Sequence, residues 1–583
     1  MGEMQDLGNK AGRRRESGNV SLSTDTMTRM ALSLLALGIL WRTIRYLLRF
    51  PIWGDEALLA LNFAWFDYGQ LTSRLENCQI APLWFLWGER TAFVWLGPGE
   101  FSLRLLPFLA GLASLVLYWQ LTGLVLRPTA RLFAVGFLAV AHWPVSMCTL
   151  IKPYSFDLLM SLVLLLPAVQ WMRRPDQTRW LIGLVILVPA AMLGSYPSAF
   201  VGGGISLAIA YRAWRHGWST RCWFATYNLT LLAGFACAYA IGVRQLDTAT
   251  SGVTTRAGMA AYWAHGFPPD TALSAIKWFV LQTAGQMTAY PLGASNGGSA
   301  LTALFCVSGV AWWARRRQWT WVILLGVPVF LNLIAAIVHG YPYGGSGRLN
   351  QHLAAPICIS AGLGLSALLE RIRRPLARRV RGPVAIAILF ALVGLGGLVR
   401  DVARPYRDQG CVWMRSTMKA IREQVLSSDR IVICGTPDTL ECVFTWYWVN
   451  EGARVTWNSQ LPPLGQSGAR IWGFHWGREA ESSCRQMTEA LRRQDSAWQL
   501  ARRLPYSYQS PKPKDLPQSC ELFCFERAPD QNAHPLTGIQ NTPPCLDAGG
   551  TLEYVTKTSG AECDNSLAEA GLEPARPLRG RGF

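Results

Sequence analysis

Residues 50–71 read FPIWGDEALLALNFAWFDYGQL, and the acidic pair Asp55-Glu56 inside them governs how the rest of the chain is read. The stretch follows the first apolar segment directly and opens a loop of roughly 50 residues before the next clear span. Two adjacent carboxylates flanked by Trp53, Trp65, Phe66 and Tyr68 mark a charged site held against an aromatic, interfacial surface. The same letters also suit a plain juxtamembrane helix start, with Gly54 and Asp55 capping it. What flanks the stretch decides between the two.

Composition points to a membrane. Hydrophobic residues make up 51% of the 583 and charged residues 16%, with 26 Trp, whereas a soluble globular protein carries about 25% charge. The net charge of +19 would suit nucleic acid if the basic residues formed a stripe. They fall instead in short clusters between apolar runs, as topology signals do, which excludes nucleic acid as a partner.

Residues 1–28 are polar, contain Arg13-Arg14-Arg15 and read as a cytosolic tail. The apolar run Met30–Trp41 lacks the small residues of a signal-peptide cleavage site, so it reads as an uncleaved first span continuing to about Leu48, with Arg42 and Arg45 as blemishes. Further apolar segments lie at about 101–126, 132–149, 154–172, 180–196, 198–214, 222–243, 299–314, 319–338, 351–369 and 383–399. That makes about eleven spans, each near the ~20 residues a bilayer needs. Pro82–Leu96 is apolar too, but Glu89-Arg90 in its middle assigns it to the interface or a re-entrant position.

The loops test this count. With the N-terminus inside, arginines crowd alternate loops: Arg127 and Arg131; Arg173, Arg174 and Arg179; Arg212, Arg215 and Arg221; Arg315-Arg316-Arg317; and the set from Arg371 to Arg381. The other loops are poor in basic residues. This places Asp55-Glu56, Lys152, Arg348 and the C-terminal region on one non-cytoplasmic face of an inner or plasma membrane.

After Arg400 the composition becomes that of a soluble domain, 401–528. A helix at roughly 412–427 precedes strand-like segments at 430–434, Val443–Val449, Ala453–Trp457 and Arg470–Phe474, which suggests a small α/β unit. Eight of the 14 cysteines lie after position 400, so disulfides are expected if that domain is exoplasmic. Cys520 and Cys524 give half a zinc site without a second pair. Residues 529–583 are Pro-, Gly- and Asn-rich and read as disordered.

Four constellations share the outer face. Asp55-Glu56 is the first. In CTLIKPYSFDLL (148–159), Lys152, Tyr154 and Asp157 stand at the outer start of a span and suit a phosphate or sugar contact, although a lysine there can also snorkel. In HGYPYGGSGRLN (339–350), glycines let backbone approach a ligand, and Arg348 beside exposed N–H groups would make a phosphate clamp. The fourth, Arg256, Tyr262, Trp263, His265 and Asp270 in the loop 244–298, could stack on sugar or lie on lipid.

At these residues the chain resembles a family. WGDEALLALNF (53–63) is similar to the first outer loop of GT-C glycosyltransferases related to protein O-mannosyltransferases and aminoarabinose transferases. IAPLWFLWGERTAFVWLGPGEFSLRLLPFLAGL (80–112) resembles their following stretch through Pro82, Glu100, Phe101, Arg104 and Pro107; KPYSFDLL and YPYGGSGRLNQHLAAP resemble the K/R-x-Y segment and the Y-P-x-G-x-x-R loop of the bacterial branch. The match covers roughly residues 30–400 in order. It implies a polytopic α-helical GT-C-type membrane domain (29–400) with a C-terminal exoplasmic α/β domain. It also implies inverting transfer of a hexosyl or pentosyl group from a polyprenyl-phosphate sugar to a lipid, glycan or protein acceptor.

By the same resemblance Asp55 is base or acceptor-positioning group, with Glu56 beside it. Lys152, Arg348 and Tyr154 would bind the donor phosphate, and Asp157, Tyr343 and His265 the acceptor or sugar. Relatives carry a glutamate where this chain has Leu150, so no cofactor is certain and a divalent metal stays open, with Asp157 as the substitute ligand. The alternative reading, a transporter or lipid flippase, would want mid-bilayer charges and paired broken helices, and no internal repeat is found.

Overall fold

A backbone surrounded by apolar side chains must satisfy its own hydrogen bonds, so each apolar run folds as a helix. The structure, a computed structural model, describes residues 23–73, 75–76, 79–246, 261–295, 297–371, 376–407, 409–426, 429–434, 439–450, 454–457, 470–476, 480–508 and 518–528. The tail 1–22, Arg256 and the segment 529–583 lie outside the described residues.

The helices are α1 (Thr24–Leu47), α2 (Gly54–Trp65), α3 (Leu83–Leu96), α4 (Glu100–Val125), α5 (Pro128–Ala139), α6 (His142–Met147), α7 (Tyr154–Arg173), α8 (Arg179–Gly194), α9 (Ser198–Arg215) and α10 (Trp218–Leu246). They continue with α11 (Ala272–Gln282), α12 (Ala300–Arg315), α13 (Trp319–Ile337), α14 (Ala354–Arg371) and α15 (Leu376–Ala403). Among the described residues, seven helices are long and apolar enough to cross a membrane, and α5, α8 and α12 are shorter apolar helices. The expected segment 132–149 is broken between α5 and α6. Pro82–Leu96 forms the short α3, started at Pro82 and ended by Gly97 in the left-handed region at φ +85°.

Two features explain how polar residues survive in this bundle. Arg42 donates to the carbonyls of Gly38 and Ala139 (2.9 and 2.8 Å), and Arg45 pairs with Asp401 at 2.7 Å while donating to Thr149. Trp41 Nε1 donates to the same Asp401 carboxylate at 2.9 Å, tying α1 to the end of α15. The arginines that blemish the first span thus find partners inside the protein, although the buried Arg42 Nε has none. Elsewhere small residues bring backbones together: a Cβ on Gly364 would stand 1.9 Å from the Phe305 carbonyl oxygen, so α12 and α14 pack without side chains between them.

The arginine-rich turns lie together at one end. Arg127 reaches Glu370 (4.0 Å) and the Trp312 ring, Arg316 covers the same ring, and Arg173 and Arg212 donate to Leu124 and Met172 carbonyls.

The C-terminal part comprises α16 (Gln409–Arg422), β1 (Arg430–Cys434), α17 (Thr439–Asn450), β2 (Arg454–Trp457), β3 (Ile471–Trp476), α18 (Ala480–Gln494), β4 (Trp498–Tyr508) and β5 (Gln518–Arg527). The strand order is β2-β1-β3-β5-β4, with β1 parallel to β2 and β3, and β5 antiparallel to β3 and β4. Alternation along β1 splits its faces: Ile431 and Ile433 join α16 and α17, whereas Val432 and Cys434 pack with Met487 and Leu491 of α18.

Val443–Val449, expected as a strand, is the helix α17. Its run of aromatics buries Phe444, Trp446 and Trp448 against both the sheet and the loop helices α2 and α3. A β-rich composition yields there to two apolar surfaces that only a helix could fill together. Cys484, Cys520 and Cys524 stand as buried thiols rather than disulfides, small apolar side chains in the layers on either side of the sheet.

Candidate active site on three loops

The first helical turn after Arg49 sets the two carboxylates apart. Trp53 precedes α2 in an extended conformation, and Asp55 and Glu56 fall in the first turn, where the helix N-terminus favours negative charge. Glu56 points into the protein. It forms a two-pronged pair with Arg104 (Nε–Oε1 3.0 Å, Nη2–Oε2 2.7 Å), accepts from the Ile151 backbone N–H at 2.8 Å and is fully buried. Its backbone-capping contact is with Trp53 N–H, at 3.4 Å. Glu56 is expected beside Asp55 in catalysis; here its oxygens fix α2 against α4 and the segment before Lys152.

Asp55 points the other way, with about a quarter of its side chain exposed. Its Oδ1 meets Lys152 Nζ at 2.9 Å and its Oδ2 meets Arg348 Nη1 at 3.0 Å. The structure therefore brings together residues 97 and 293 positions apart from Asp55. Lys152 is buried in the link between α6 and α7, and its Nζ also donates to Gln79 Oε1 at 2.7 Å. Arg348 lies over the Trp263 ring (4.9 Å) and near that of Tyr154 (5.9 Å).

The electrostatics follow from these contacts. Burial pushes the Asp55 carboxyl up, but Lys152 and Arg348 outweigh it and hold it below the usual carboxylate range. Burial lowers Lys152, and Asp55 only partly restores it. Arg348 ends above its ordinary value, because Tyr154 and Asp55 outweigh its burial. The cluster is an anion held between two cations, not an isolated base.

The glycine loop works differently from expectation. Gly344 and Gly345 adopt φ of +71° and +59°, which turns the chain so that Arg348 faces Asp55. The N–H groups of Gly345 and Gly347 are not exposed for phosphate: they donate to Gln282 (2.9 Å) and Gln286 (3.0 Å). The loop is pinned and leaves only the Arg348 side chain to the site.

Other expected residues stand apart. Asp157 is buried one turn into α7 and accepts from the Ser195 hydroxyl at 2.6 Å. Tyr343, expected at the sugar, is buried with its hydroxyl on Thr283 (2.9 Å) and its ring against Phe279, a packing role. His265 is exposed, and its carbonyl accepts from Trp278. No group of three His, Cys, Asp or Glu side chains that could hold a metal exists among the described residues. The donor set at Asp55, one carboxylate already shared by two cations, does not fit a divalent ion.

Sequence reasoning missed Arg407. It follows α15 and stacks on Trp53 at 3.5 Å, and its charge reaches Asp55. Nothing in PYRD distinguishes it from an ordinary basic exit of a span.

No protein-family model and no curated protein matches the sequence. Solved structures similar to it are found at low sequence identity. They include ArnT from Cupriavidus metallidurans bound to undecaprenyl phosphate (12% identity, 87% of this chain and 99% of that one, TM-score 0.47). The Archaeoglobus fulgidus oligosaccharyltransferase in the apo form is 13% identical over 73% of this chain (TM-score 0.39), and the chain spans 64% of that protein's length. The same organism's AglB, in complex with an inhibitory peptide and a dolichol-phosphate, is 14% identical over 87% of this chain and 75% of that one (TM-score 0.38).

Proposed function

We propose that the chain is an integral-membrane glycosyltransferase that moves a sugar from a polyprenyl-phosphate donor to an acceptor hydroxyl or amine. The observation that carries this reading is the Asp55 carboxylate shared between Lys152 (2.9 Å) and Arg348 (3.0 Å) at the edge of a helical bundle. A lipid-phosphate sugar needs cations for the departing phosphate and an oxygen base for the acceptor, side by side and next to lipid. These residues supply both.

In the resting protein Asp55 neutralises the two cations. An arriving phosphate competes for them, with Arg407 at the open side as a third charge. As Lys152 and Arg348 turn to the phosphate, Asp55 loses the partners that depress its pKa and becomes the better proton acceptor. It then takes or orients the acceptor proton while the nucleophile attacks the anomeric carbon. The new glycosidic bond forms with inversion, and the lipid phosphate leaves with the bonding pair, stabilised by the cations. The Trp263 ring under Arg348 offers an aromatic face on which a sugar could stack.

The topology belongs to the same reading: about eleven spans within 29–400, a cytoplasmic N-terminus, and the site and domain 401–528 on the exoplasmic face. The separation of the Arg-rich turns from the Asp55 end supports it. Membranes carrying the chain, incubated with labelled polyprenyl-phosphate sugars, test the proposal. Label in an acceptor supports transfer; movement of intact lipid without transfer would replace it with a flippase.

A further inference from the structure

Helix α7 begins at Tyr154, near Arg348, and runs to Arg173 in the arginine-rich turns, about 30 Å further along. Toward that far end a groove of about 390 Å³ opens between α4, α7 and α8. Leu117 of α4, Val163, Leu166 and Pro167 of α7, and Gly183 and Leu187 of α8 line it. Two of these residues keep it open. Pro167 lacks the N–H that would bond the Val163 carbonyl, and a Cβ on Gly183 would meet nothing within 4 Å. Val116 and Ile186, neighbours of Leu117 and Leu187 in the chain, are 50% and 68% exposed, so apolar surface flanks the groove.

One end of the groove is polar. Arg179 and Trp180 complete the lining from the first turn of α8. Gln177 Oε1 accepts from Arg179 Nη2 and from Trp180 Nε1, each at 3.0 Å, and the guanidinium lies 5.1 Å from the indole centroid. Cation and aromatic are thus fixed together at the mouth. The Gln177 amide is neutral and leaves the Arg179 charge in place. Arg173 donates to another neutral group, the Leu124 carbonyl, at 3.1 Å. Asp176, the carboxylate of the same link, faces His216 at 3.3 Å. Among the described residues no carboxylate pairs with Arg173 or Arg179.

We infer that this groove binds an anionic phospholipid, with the headgroup phosphate on Arg179 and one acyl chain along Gly183 and Leu187. From Arg179 to Leu187 α8 rises about 12 Å, which keeps the chain within one leaflet of a hydrocarbon core about 30 Å thick. A soluble anion would have no use for the apolar floor. The donor lipid of the proposed reaction keeps its phosphate at Asp55, at the opposite end of α7. The inference rests on the membrane reading of the bundle and uses no residue of the transfer site.

The test uses the full chain, extracted in detergent and placed in phosphatidylcholine nanodiscs with a trace of phosphatidylglycerol carrying a photoreactive diazirine in its acyl chain. Adducts are mapped by peptide mass spectrometry. They are expected to concentrate on the lining residues of α4, α7 and α8, and unlabelled phosphatidylglycerol should displace them where phosphatidylcholine does not. Arg179→Gln should lower this labelling about fivefold, the worth of one cation against an anionic headgroup. Gly183→Leu, whose side chain enters open space, should lower it roughly threefold or more by filling the floor. Arg315→Gln, at another arginine-rich turn, should leave it unchanged. If the leucine impairs folding, the exposed Arg179→Gln carries the test alone. Labelling spread evenly over the bundle, indifferent to headgroup or untouched by these variants overturns the inference. So does stronger displacement by a polyprenyl phosphate, which would give the groove to the donor's tail. Recovery of the chain without detergent would overturn the membrane reading itself, and transfer activity is independent of every outcome.

Discussion

Replacing Asp55 with asparagine separates its two roles. The variant keeps the size and one acceptor oxygen but removes the charge shared by Lys152 and Arg348. Charge-assisted hydrogen bonds are worth ~1.5–3 kcal/mol each, and the carboxylate's partial exposure places these at the low end. A donor phosphate that no longer competes with a carboxylate should gain about 1–2 kcal/mol, or roughly 5–30-fold in affinity. Transfer should meanwhile fall by about 10²–10⁴, the span of a lost general base. The assay pairs equilibrium binding of a polyprenyl phosphate with single-turnover transfer from the corresponding lipid-phosphate sugar. Weaker donor binding in Asp55→Asn, or transfer at the native rate, would refute the competition argument.

Arg348→Ala should weaken donor use by about tenfold or more while melting stays near native, checked by the donor dependence of transfer. Lys152 is shifted down from 10.5 by burial, so donor affinity should fail on the alkaline side below that value. Lys152→Arg should move this limb upward in a pH profile of donor KM. Asp55 is held below its ordinary value by its two cations, so its stabilising contribution is complete above about pH 3.9 and is lost as pH falls through the lower folded value. Asp55→Asn should accordingly flatten the acid limb of a melting-against-pH curve. Arg104→Ala leaves Glu56 as an unpaired buried charge and should cost about 3–5 kcal/mol, read as a lower melting temperature or lost expression.

The helices were legible because lipid-facing helices need only length and apolarity, and the convergence of Asp55, Lys152 and Arg348 was legible from loop order. What the sequence hid were contacts between distant surfaces. Val443–Val449 has the letters of a strand, and becomes a helix only because the sheet and the α2–α3 loop both demand its aromatics. The glycines at 344–347 look like a phosphate cradle until Gln282 and Gln286 are found on their N–H groups. Arg407 carries no local signal; it matters through Trp53, 354 residues earlier.

The acidic pair itself shows why adjacency in sequence is a poor guide to shared chemistry. Successive residues on a helix point about 100° apart, so the first turn of α2 cannot present both carboxylates to one crevice. Asp55 takes the open side and Glu56 the buried one, where Arg104 and the Ile151 N–H hold it. Ile151 immediately precedes Lys152, so the Glu56 bond that anchors α2 also sets the position of the cation paired with Asp55. Glu56 thereby sets the distance at which Asp55 meets Lys152, so that in the proposed reaction the first residue of the pair would be the working acid and the second its brace.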